Sequence, residues 1–487
     1  MNRLLNLCLG VVLLAGVLLA ITTSIIPARA TSITSFIVNP FSTVDWFGEP
    51  NYEGDNFGTS VASAGDVNGD GYSDIIVGSP YYINGQSLEG RAYVYQGSGS
   101  GLDATPAWTF ESDIENCQLG WSVASASDVN NDGFDDVLVG ALYCTTSPDP
   151  NHREGRVYLF LGSSTGLSTT PAWWKEGEGF DESFGWSVAS AGDVNSDGYG
   201  DVIIGAPWAS YPEGHEGRAY VFHGTDSGLE DTAAWVAESD LPWTDFGQWV
   251  DSAGDVDDDG FTDVIIGHPG WASPEDAEGR AYVYMGSAVG LETTPAWTYE
   301  SNIVDCELGT SVSDAGDVNG DGYADVLAGG VKCANPDNYE GVAYLFLGSA
   351  TGLSLTPIWS QEGNQAFSHY SRSLASAGDV NDDGFGDIII GAPYYDAGEE
   401  DEGLAFLYFG SAGGILPEPF YSKGGDQAGA SFSFSVATAG DVNGDGIDDI
   451  LVGAPAYDGG QDNEGRVTVY YGSIDAAARI LLPLVVR

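Results

Sequence analysis

The sequence predicts an all-β protein made of seven copies of one four-stranded unit, and three observations support this. The pattern Asp-x-(Asn/Asp)-x-Asp-Gly-x-x-Asp occurs seven times, with equal spacing in every interval but one, and its copies open at Asp66, Asp128, Asp193, Asp255, Asp317, Asp379 and Asp441. Short runs of β-branched and aromatic residues, bounded by Gly, Asp or Pro, surround each copy and are typical of strands. After residue 30, no segment keeps a helical period. Such repeats indicate a seven-bladed β-propeller of four-stranded antiparallel blades with calcium-binding loops.

Each unit holds four short segments of strand-like composition, which lie in the first unit at 60–64, 74–78, 91–95 and 107–110. The first follows a Phe-Gly pair, the second an acidic loop and the third a Glu-Gly pair, whereas the fourth contains a tryptophan. A single four-stranded sheet cannot bury both faces, so neighbouring units are expected to stack as blades. The Glu-Gly pair recurs in all seven units, so we expect a structural role such as an interblade hydrogen bond or ion pair.

The last unit lacks a fourth segment of the usual form. An equivalent stands at the other end of the chain, where Val44-Asp45-Trp46 precedes the first Phe-Gly pair as Ala107-Trp108 precedes the second. We expect residues near 43–48 to supply the outer strand of the last blade, within a propeller domain spanning 31–473. The C-terminal tail, 474–487, has an apolar stretch without a repeat equivalent, which is either a competing closure strand or a docking or sorting segment.

Residues 1–30 have the composition of a secretory signal peptide. A short basic start precedes an apolar run over 4–26 and then Ala28-Arg29-Ala30, a small-x-small cleavage pattern. We expect cleavage after Ala30 and a secreted or cell-surface protein. The alternative is an uncleaved membrane anchor, because the apolar run is just long enough to cross a bilayer.

The composition is strongly acidic, with 14 Lys and Arg against 72 Asp and Glu and a formal net charge of −58. Such a charge excludes nucleic acid as a natural partner, because its phosphates would be repelled. A hydrophobic content of 43%, with 13 Trp and 25 Tyr, is enough to bury a core and argues against disorder. The acidic residues therefore need a structural use, and binding of calcium supplies one.

The nine-residue acidic loops have the ligand spacing of an EF-hand calcium loop, shortened at its end. Side-chain oxygens at positions 1, 3, 5 and 9 and the carbonyl at position 7 are expected to converge on one ion, while the glycine at position 6 permits the bend. We expect about seven Ca²⁺ ions with a mainly structural role; acidic turns without metal are the alternative. The predicted ligands are Asp66, Asn68, Asp70, Tyr72, Asp74, Asp128, Asn130, Asp132, Phe134, Asp136, Asp193, Asn195, Asp197, Tyr199, Asp201, Asp255, Asp257, Asp259, Phe261, Asp263, Asp317, Asn319, Asp321, Tyr323, Asp325, Asp379, Asn381, Asp383, Phe385, Asp387, Asp441, Asn443, Asp445, Ile447 and Asp449.

Four cysteines beyond the signal segment form two pairs at matching positions. Cys117 and Cys306 precede the first Asp of their loops by the same interval, and Cys144 and Cys333 likewise follow it by a shared interval. A secreted chain favours oxidation, so we predict the disulfides Cys117–Cys144 and Cys306–Cys333. Free buried thiols are the alternative.

The repeated motifs resemble the FG-GAP repeats of the integrin α-subunit propeller. The Phe-Gly pair begins at Phe57, Phe184 and Phe246, and the Gly-Ala-Pro triplet stands at 205–207, 391–393 and 453–455, with variants in the other units. The resemblance covers nearly the whole mature chain. It implies a calcium-binding extracellular module for adhesion or recognition, here expected to be a secreted, prokaryotic, monomeric propeller.

The loops between second and third strands are expected to form a ligand face. Antiparallel strand order places them, with the connections between units, opposite the acidic loops, and in integrins the corresponding face binds ligand. We expect an extracellular protein or glycan to dock there through aromatic side chains. The alternative is that these aromatic residues only pack the loops. The candidate residues are Tyr81, Tyr82, Trp208, Tyr211, Trp271, Tyr394 and Tyr395.

The sequence favours a binding module over an enzyme. Gly162-Ser163-Ser164-Thr165-Gly166 matches a hydrolase nucleophile pattern, but it is one copy of the repeated turn between third and fourth strands. The five histidines are scattered and have no paired zinc spacing. FG-GAP units also occur in glycosylphosphatidylinositol-specific phospholipase D, beside a separate catalytic domain. The alternative function is a secreted hydrolase or lyase acting on glycans, which needs only two carboxylates on the loop face.

Overall fold

The computed structural model describes residues 44–147, 152–210, 214–334 and 338–474. The predicted signal peptide and residues 475–487 of the predicted tail lie outside these ranges, as does the candidate ligand residue Tyr211. Within them, no helix is long and apolar enough to cross a membrane.

The strands form seven four-stranded antiparallel sheets, which confirms the predicted seven-bladed propeller. In chain order the strands are β1 Trp46–Gly48, β2 Ser60–Gly65, β3 Asp74–Ser79, β4 Arg91–Tyr95, β5 Trp108–Glu111, β6 Leu119–Ser127, β7 Asp136–Ala141, β8 Arg156–Phe160, β9 Trp173–Glu176, β10 Ser187–Gly192, β11 Asp201–Ala206, β12 Arg218–Phe222, β13 Gly224–Thr225, β14 Gly228–Leu229, β15 Trp235–Glu238, β16 Val250–Gly254, β17 Asp263–His268, β18 Arg280–Tyr284, β19 Trp297–Glu300, β20 Leu308–Gly316, β21 Asp325–Gly330, β22 Val342–Phe346, β23 Trp359–Glu362, β24 Ser373–Gly378, β25 Asp387–Ala392, β26 Leu404–Tyr408, β27 Tyr421–Gly424, β28 Ser435–Gly440, β29 Asp449–Ala454 and β30 Arg466–Tyr470. The first blade is β2 to β5, and the next five follow in chain order, with the small β13–β14 hairpin inserted in the third.

The seventh blade is completed by the strand at the start of the described chain. β1 pairs antiparallel with β30, with Trp46 opposite Val469. The Trp46 ring meets the Tyr95 ring edge-on, with 5.0 Å between centroids, and its Nε1–H donates to the Asp103 carbonyl at 3.2 Å. Because Tyr95 and Asp103 belong to the first blade, this strand joins the two ends of the ring.

The hydrophobic cores lie between neighbouring blades. The second strand of each blade is buried along its whole length, which agrees with its nearly continuous apolar sequence. In the contact between the first two blades, Ile76 and Val94 pack in one cluster with Val137 and Phe160. Each sheet therefore buries its second face against the next blade, as the repeat pattern required.

The Phe-Gly and Glu-Gly pairs join each blade to the next. In all seven units the residue at the Phe position donates its N–H to the Glu carbonyl of the preceding unit, as from Phe184 to Glu154 at 2.9 Å. The predicted interblade hydrogen bond is therefore confirmed. Nearby, a Cβ built on Gly205 would lie 2.1 Å from the Gly247 carbonyl oxygen, so the Gly-Ala-Pro glycine is needed for this close approach.

Both predicted disulfides are present. Cys117 bonds to Cys144 and Cys306 to Cys333, each over a sequence separation of 27, and all four side chains are buried. Each bond ties the connection before a blade to the loop after the second strand of that blade.

Removal of one disulfide is expected to lower the free energy of unfolding by about 2 to 4 kcal/mol, because the unfolded chain regains the entropy of an open loop. The double variant Cys306→Ser/Cys333→Ser tests this by chemical denaturation without reductant. The control is wild type in a thiol reductant, which opens both disulfides. The reduced wild type is expected to lose more stability than the double variant. If the double variant lost no stability within error, the Cys306–Cys333 bond would not stabilise the folded protein.

The fourth blade contains a fully buried histidine where four of the other blades have alanine. His268 ends β17 at the position of Ala206 and Ala392, and its Nδ1 lies 3.2 Å from the Tyr282 hydroxyl. Burial, with a smaller contribution from the Arg280 charge, lowers the pKa of His268 to about 3. The folded protein therefore holds this imidazole neutral.

Acid is expected to destabilise the protein through His268. The folded pKa is lowered from 6.5, so protons bind preferentially to the unfolded chain as pH falls below that value. Between about pH 7.5 and 5.5, wild type is expected to lose roughly 1.4 kcal/mol relative to His268→Ala. Guanidinium denaturation of both proteins at the two pH values measures the difference. Equal pH dependence of the two proteins would contradict a neutral buried imidazole.

Candidate metal sites and ligand face

The acidic loops connect the first and second strands of each blade and share one hydrogen-bond pattern. In the first loop, Asp66 accepts the shared backbone N–H bonds from Asp70 and Gly71 at 3.1 and 2.8 Å, and a further one from Gly69 at 2.7 Å. Tyr72 donates its N–H to Asp70 Oδ1 at 3.1 Å. Gly71 has a φ of 90°, in the left-handed region that glycine adopts without strain. The loop backbone thus turns around the carboxylates at positions 1 and 5.

The aspartate at position 9 is buried in all seven loops. In the first loop, Asp74 accepts the Val67 N–H at 3.1 Å through one oxygen and the Gly97 N–H at 2.9 Å through the other. Burial raises the pKa of Asp74 to about 7, and that of Asp387 and Asp449 to about 8, although backbone hydrogen bonds oppose the shift. Ionising such a buried carboxyl is costly, and a nearby divalent cation would offset that cost.

The oxygen atoms of the side chain at position 3 indicate whether the loops fit a metal ion. In the fourth loop, Asp255, Asp257 and Asp263 each offer an oxygen, and these oxygens lie within 4.8 Å of one another. The Oδ1 atom of Asp257 is buried without a hydrogen-bond partner among the described residues, as are those of Asn319 and Asn381 in the next two loops. Buried oxygens that lack a donor fit a cation that prefers oxygen ligands. The residues present therefore fit calcium.

The loops differ in the distances between their carboxylate oxygens. The predicted ligands of each loop share one turn, but only in the fourth loop do three described carboxylates come within 4.8 Å of one another. The fourth loop has Asp257 at position 3, whereas the other six have Asn. The other loops therefore combine an amide oxygen with carboxylates rather than gathering an acidic triad.

Seven hydrogen bonds link the acidic loops in a closed ring that the sequence analysis missed. The N–H at position 8 of each loop donates to the carbonyl at position 1 of the preceding loop, as from Asp135 to Asp66 at 3.2 Å, and Ser73 closes the ring on Asp441 at 3.0 Å. The side chain at position 8 varies from unit to unit, so no residue pattern marks these backbone donors. Because position 1 is also a predicted ligand, each metal site would be mechanically coupled to its neighbour.

The described candidate ligand residues are all buried or half-buried. Tyr82 is 2% exposed and lies beneath the Arg91 guanidinium, 4.0 Å from the ring centroid, so it packs the loop. Trp271 is half-buried under Arg280 in the same manner, at 3.6 Å. The other described candidates are also half-buried, namely Tyr81, Trp208, Tyr394 and Tyr395.

Four exposed aromatic residues, which the sequence analysis did not select, lie on the connections between blades. Tyr52, Phe180, Trp243 and Phe367 are 45, 60, 70 and 56% exposed. Trp243 stacks on His215 of the neighbouring loop with 4.4 Å between ring centroids, which places the connections beside the loops of the candidate ligand face. Each of the four stands shortly before the Phe-Gly position of the next unit, a placement that marks them in the sequence.

The chain matches known proteins over these same repeats. The FG-GAP repeat profile matches residues 57–95, 119–160, 184–222, 246–284, 372–408 and 432–470. Integrin alpha-8 of Gallus gallus is 33% identical over 248 residues, which cover 49% of this chain and 22% of the relative. Phosphatidylinositol-glycan-specific phospholipase D of Bos taurus is 29% identical over 300 residues, 56% of this chain and 35% of that protein.

A solved structure of BBS1N in complex with ARL6DN, soaked with mercury, covers 88% of this chain at 8% identity with a TM-score of 0.48. The chain spans about a fifth of the length of the integrin relative and about a third of the phospholipase D. Six of the seven blades therefore carry an FG-GAP repeat, and the propeller they form is similar to the repeat region of integrin α subunits.

Proposed function

We propose that this protein is a calcium-stabilised extracellular recognition module that binds a protein or glycan ligand without catalysis. One observation carries the proposal: the buried aspartates lie on the acidic-loop side, whereas the exposed aromatic residues lie on the connections of the other side. The likeness to integrin α subunits supports a recognition role for that second side.

Calcium would be held in each loop by side chains at positions 1, 3, 5 and 9 and by the carbonyl at position 7. The ion would supply positive charge beside a buried carboxyl and tie the first strand to the second. An affinity of about 0.1 to 1 mM suits extracellular calcium concentrations. The residues themselves bend the loop and, through the position-8 N–H groups, connect it to the next blade.

A screen of glycan arrays and immobilised extracellular proteins tests the ligand face. For any ligand found, the double variant Phe180→Ala/Trp243→Ala is expected to bind at least about tenfold more weakly, because exposed aromatic anchors dominate binding energy. The control is Trp174→Ala, which removes a 50% exposed ring from the outer strand β9, away from the loops. Equal binding by the double variant, with an unchanged melting temperature, would contradict the assignment of this face.

A reducing-sugar assay on each glycan that binds separates recognition from catalysis. Retention of an intact glycan is the expected result. Turnover would contradict the non-catalytic proposal and would identify the protein as a glycan hydrolase or lyase.

A further inference from the structure

The first strands of all seven blades enclose one central cavity of about 200 Å³. These strands contact one another in a closed ring, and serine side chains join them, as where Ser60 Oγ accepts the Val123 N–H and Ser435 Oγ accepts the Val61 N–H, each at 3.1 Å. Each strand runs from the Phe-Gly position towards its acidic loop. The first two residues after the Phe-Gly position therefore lie at the mouth on the side of the candidate ligand face.

Four aromatic rings and one cation occupy this mouth. Trp121 and Trp186 meet with 5.4 Å between ring centroids. The Arg372 guanidinium lies 4.5 Å from the Phe434 ring centroid and 5.4 Å from that of Trp249. All five side chains line the cavity and are half-buried.

Arg372 differs from the repeated arginines of the blades. Five repeated arginines each form an ion pair with a glutamate beside the outer strand of their blade, namely Arg91, Arg156, Arg218, Arg280 and Arg466. In contrast, no carboxylate oxygen of the described ranges forms an ion pair with Arg372 within 4.0 Å. A half-buried cation without a counter-ion carries part of the cost of leaving water, and a bound anion would relieve that cost.

We propose that the channel mouth is a subsite for a uronic acid residue of an acidic glycan, with its carboxylate on Arg372 and its sugar ring against the tryptophans. This inference rests on the proposed function, since it names the ligand class for the same face. A guanidinium presents a planar fork of donors that matches a carboxylate. Aromatic walls with a few polar groups are typical of small-ligand sites.

The size and composition of the cavity favour a sugar. A cavity of about 200 Å³ has room for several water molecules and therefore for a ligand as small as one sugar ring. An acidic peptide side chain would reach the guanidinium but leave the tryptophan rings without contact. The class of ligand that uses both features is therefore an acidic sugar.

The acidic composition does not prevent this binding. Most of the repeated acids lie on the opposite, metal-binding loops, and exposed charges are screened beyond about 8 Å at physiological ionic strength. Asp251 also lines the cavity, but it lies two residues beyond Trp249 towards the acidic loops and accepts the Ser252 N–H at 2.9 Å. Among the described residues that line the cavity, Arg372 is the one basic side chain.

Titration of the calcium-loaded protein with sodium D-glucuronate, followed by tryptophan fluorescence and calorimetry, tests the subsite. Wild type is expected to bind glucuronate at least about tenfold more tightly than D-glucose, as one charge-assisted pair would give. Arg372→Gln is expected to remove that preference and Arg372→Lys to keep part of it. The control Arg153→Gln changes an arginine stacked on Tyr143 outside the channel and is expected to bind as wild type does.

Three results would overturn the subsite. They are no glucuronate binding to wild type, equal binding of glucose and glucuronate, and unchanged preference in Arg372→Gln with a normal melting temperature. Binding of N-acetyl-L-glutamate as tight as that of glucuronate would assign the site to peptide carboxylates instead. If ligands from the screen bind Arg372→Gln as they bind wild type, the subsite is wrong while the recognition function stands.

Discussion

Removal of calcium from a solution of about 2 mM by a chelator is expected to lower the free energy of unfolding by roughly 4 to 13 kcal/mol. Each site with a dissociation constant of about 0.1 to 1 mM would stabilise the folded state by roughly 0.6 to 1.8 kcal/mol, and seven such sites give the total. The physical reason is that the ion offsets the cost of ionising a buried aspartate at position 9, such as Asp74. Thermal and denaturant unfolding, in calcium and in chelator, measure the effect.

Magnesium is the control for this prediction. Mg²⁺ requires a smaller octahedral site and gives up its water reluctantly, so it is expected to restore much less stability than calcium after chelation. Full restoration by magnesium would indicate simple charge screening rather than a shaped calcium site. An unchanged melting transition on chelation would contradict a structural role for the loops.

Trp46→Ala is expected to destabilise the protein by about 3 to 5 kcal/mol, the usual cost of truncating a buried tryptophan. Trp46 is 9% exposed, and it packs on Tyr95 and donates to the Asp103 carbonyl of the first blade. Its loss therefore removes packing at the junction where the ends of the ring meet. Denaturant unfolding of the variant measures the change.

The neighbouring residue supplies the matched control for the closing strand. Phe47 lies on the same strand but is 55% exposed, so Phe47→Ala is expected to cost less than about 1 kcal/mol. Similar losses in the two variants would mean that the strand contributes through its backbone pairing alone. If Trp46→Ala lost less stability than Phe47→Ala, the closure of the ring by the Trp46 side chain would be contradicted.

Much of the architecture is predictable from the sequence because its signals are local and repeated. The acidic pattern gives the period, and the matching positions of Cys117 and Cys306 give the disulfides. The closing strand is also readable, since Trp46 repeats the context of Trp108. In each case one unit is compared with another, so no long-range contact has to be known in advance.

Features that depend on packing in the folded chain are not readable in this way. The ring of hydrogen bonds between loops uses backbone donors such as Asp135 N–H, whose side chains follow no pattern. Tyr82 looks exposed in a loop sequence, but the Arg91 guanidinium covers it. Arg372 resembles any other variable residue until the fold places it beside aromatic rings at the channel mouth.

Calorimetric titration of the chelator-treated protein with calcium tests the central claim most directly, because it counts the ions. About seven ions per chain are expected for wild type, and about six for Asp263→Ala, which removes the buried carboxyl of the fourth loop. Binding of one ion alone, lost in Asp263→Ala, would show that only the acidic triad of the fourth loop holds metal and would contradict seven structural calcium sites.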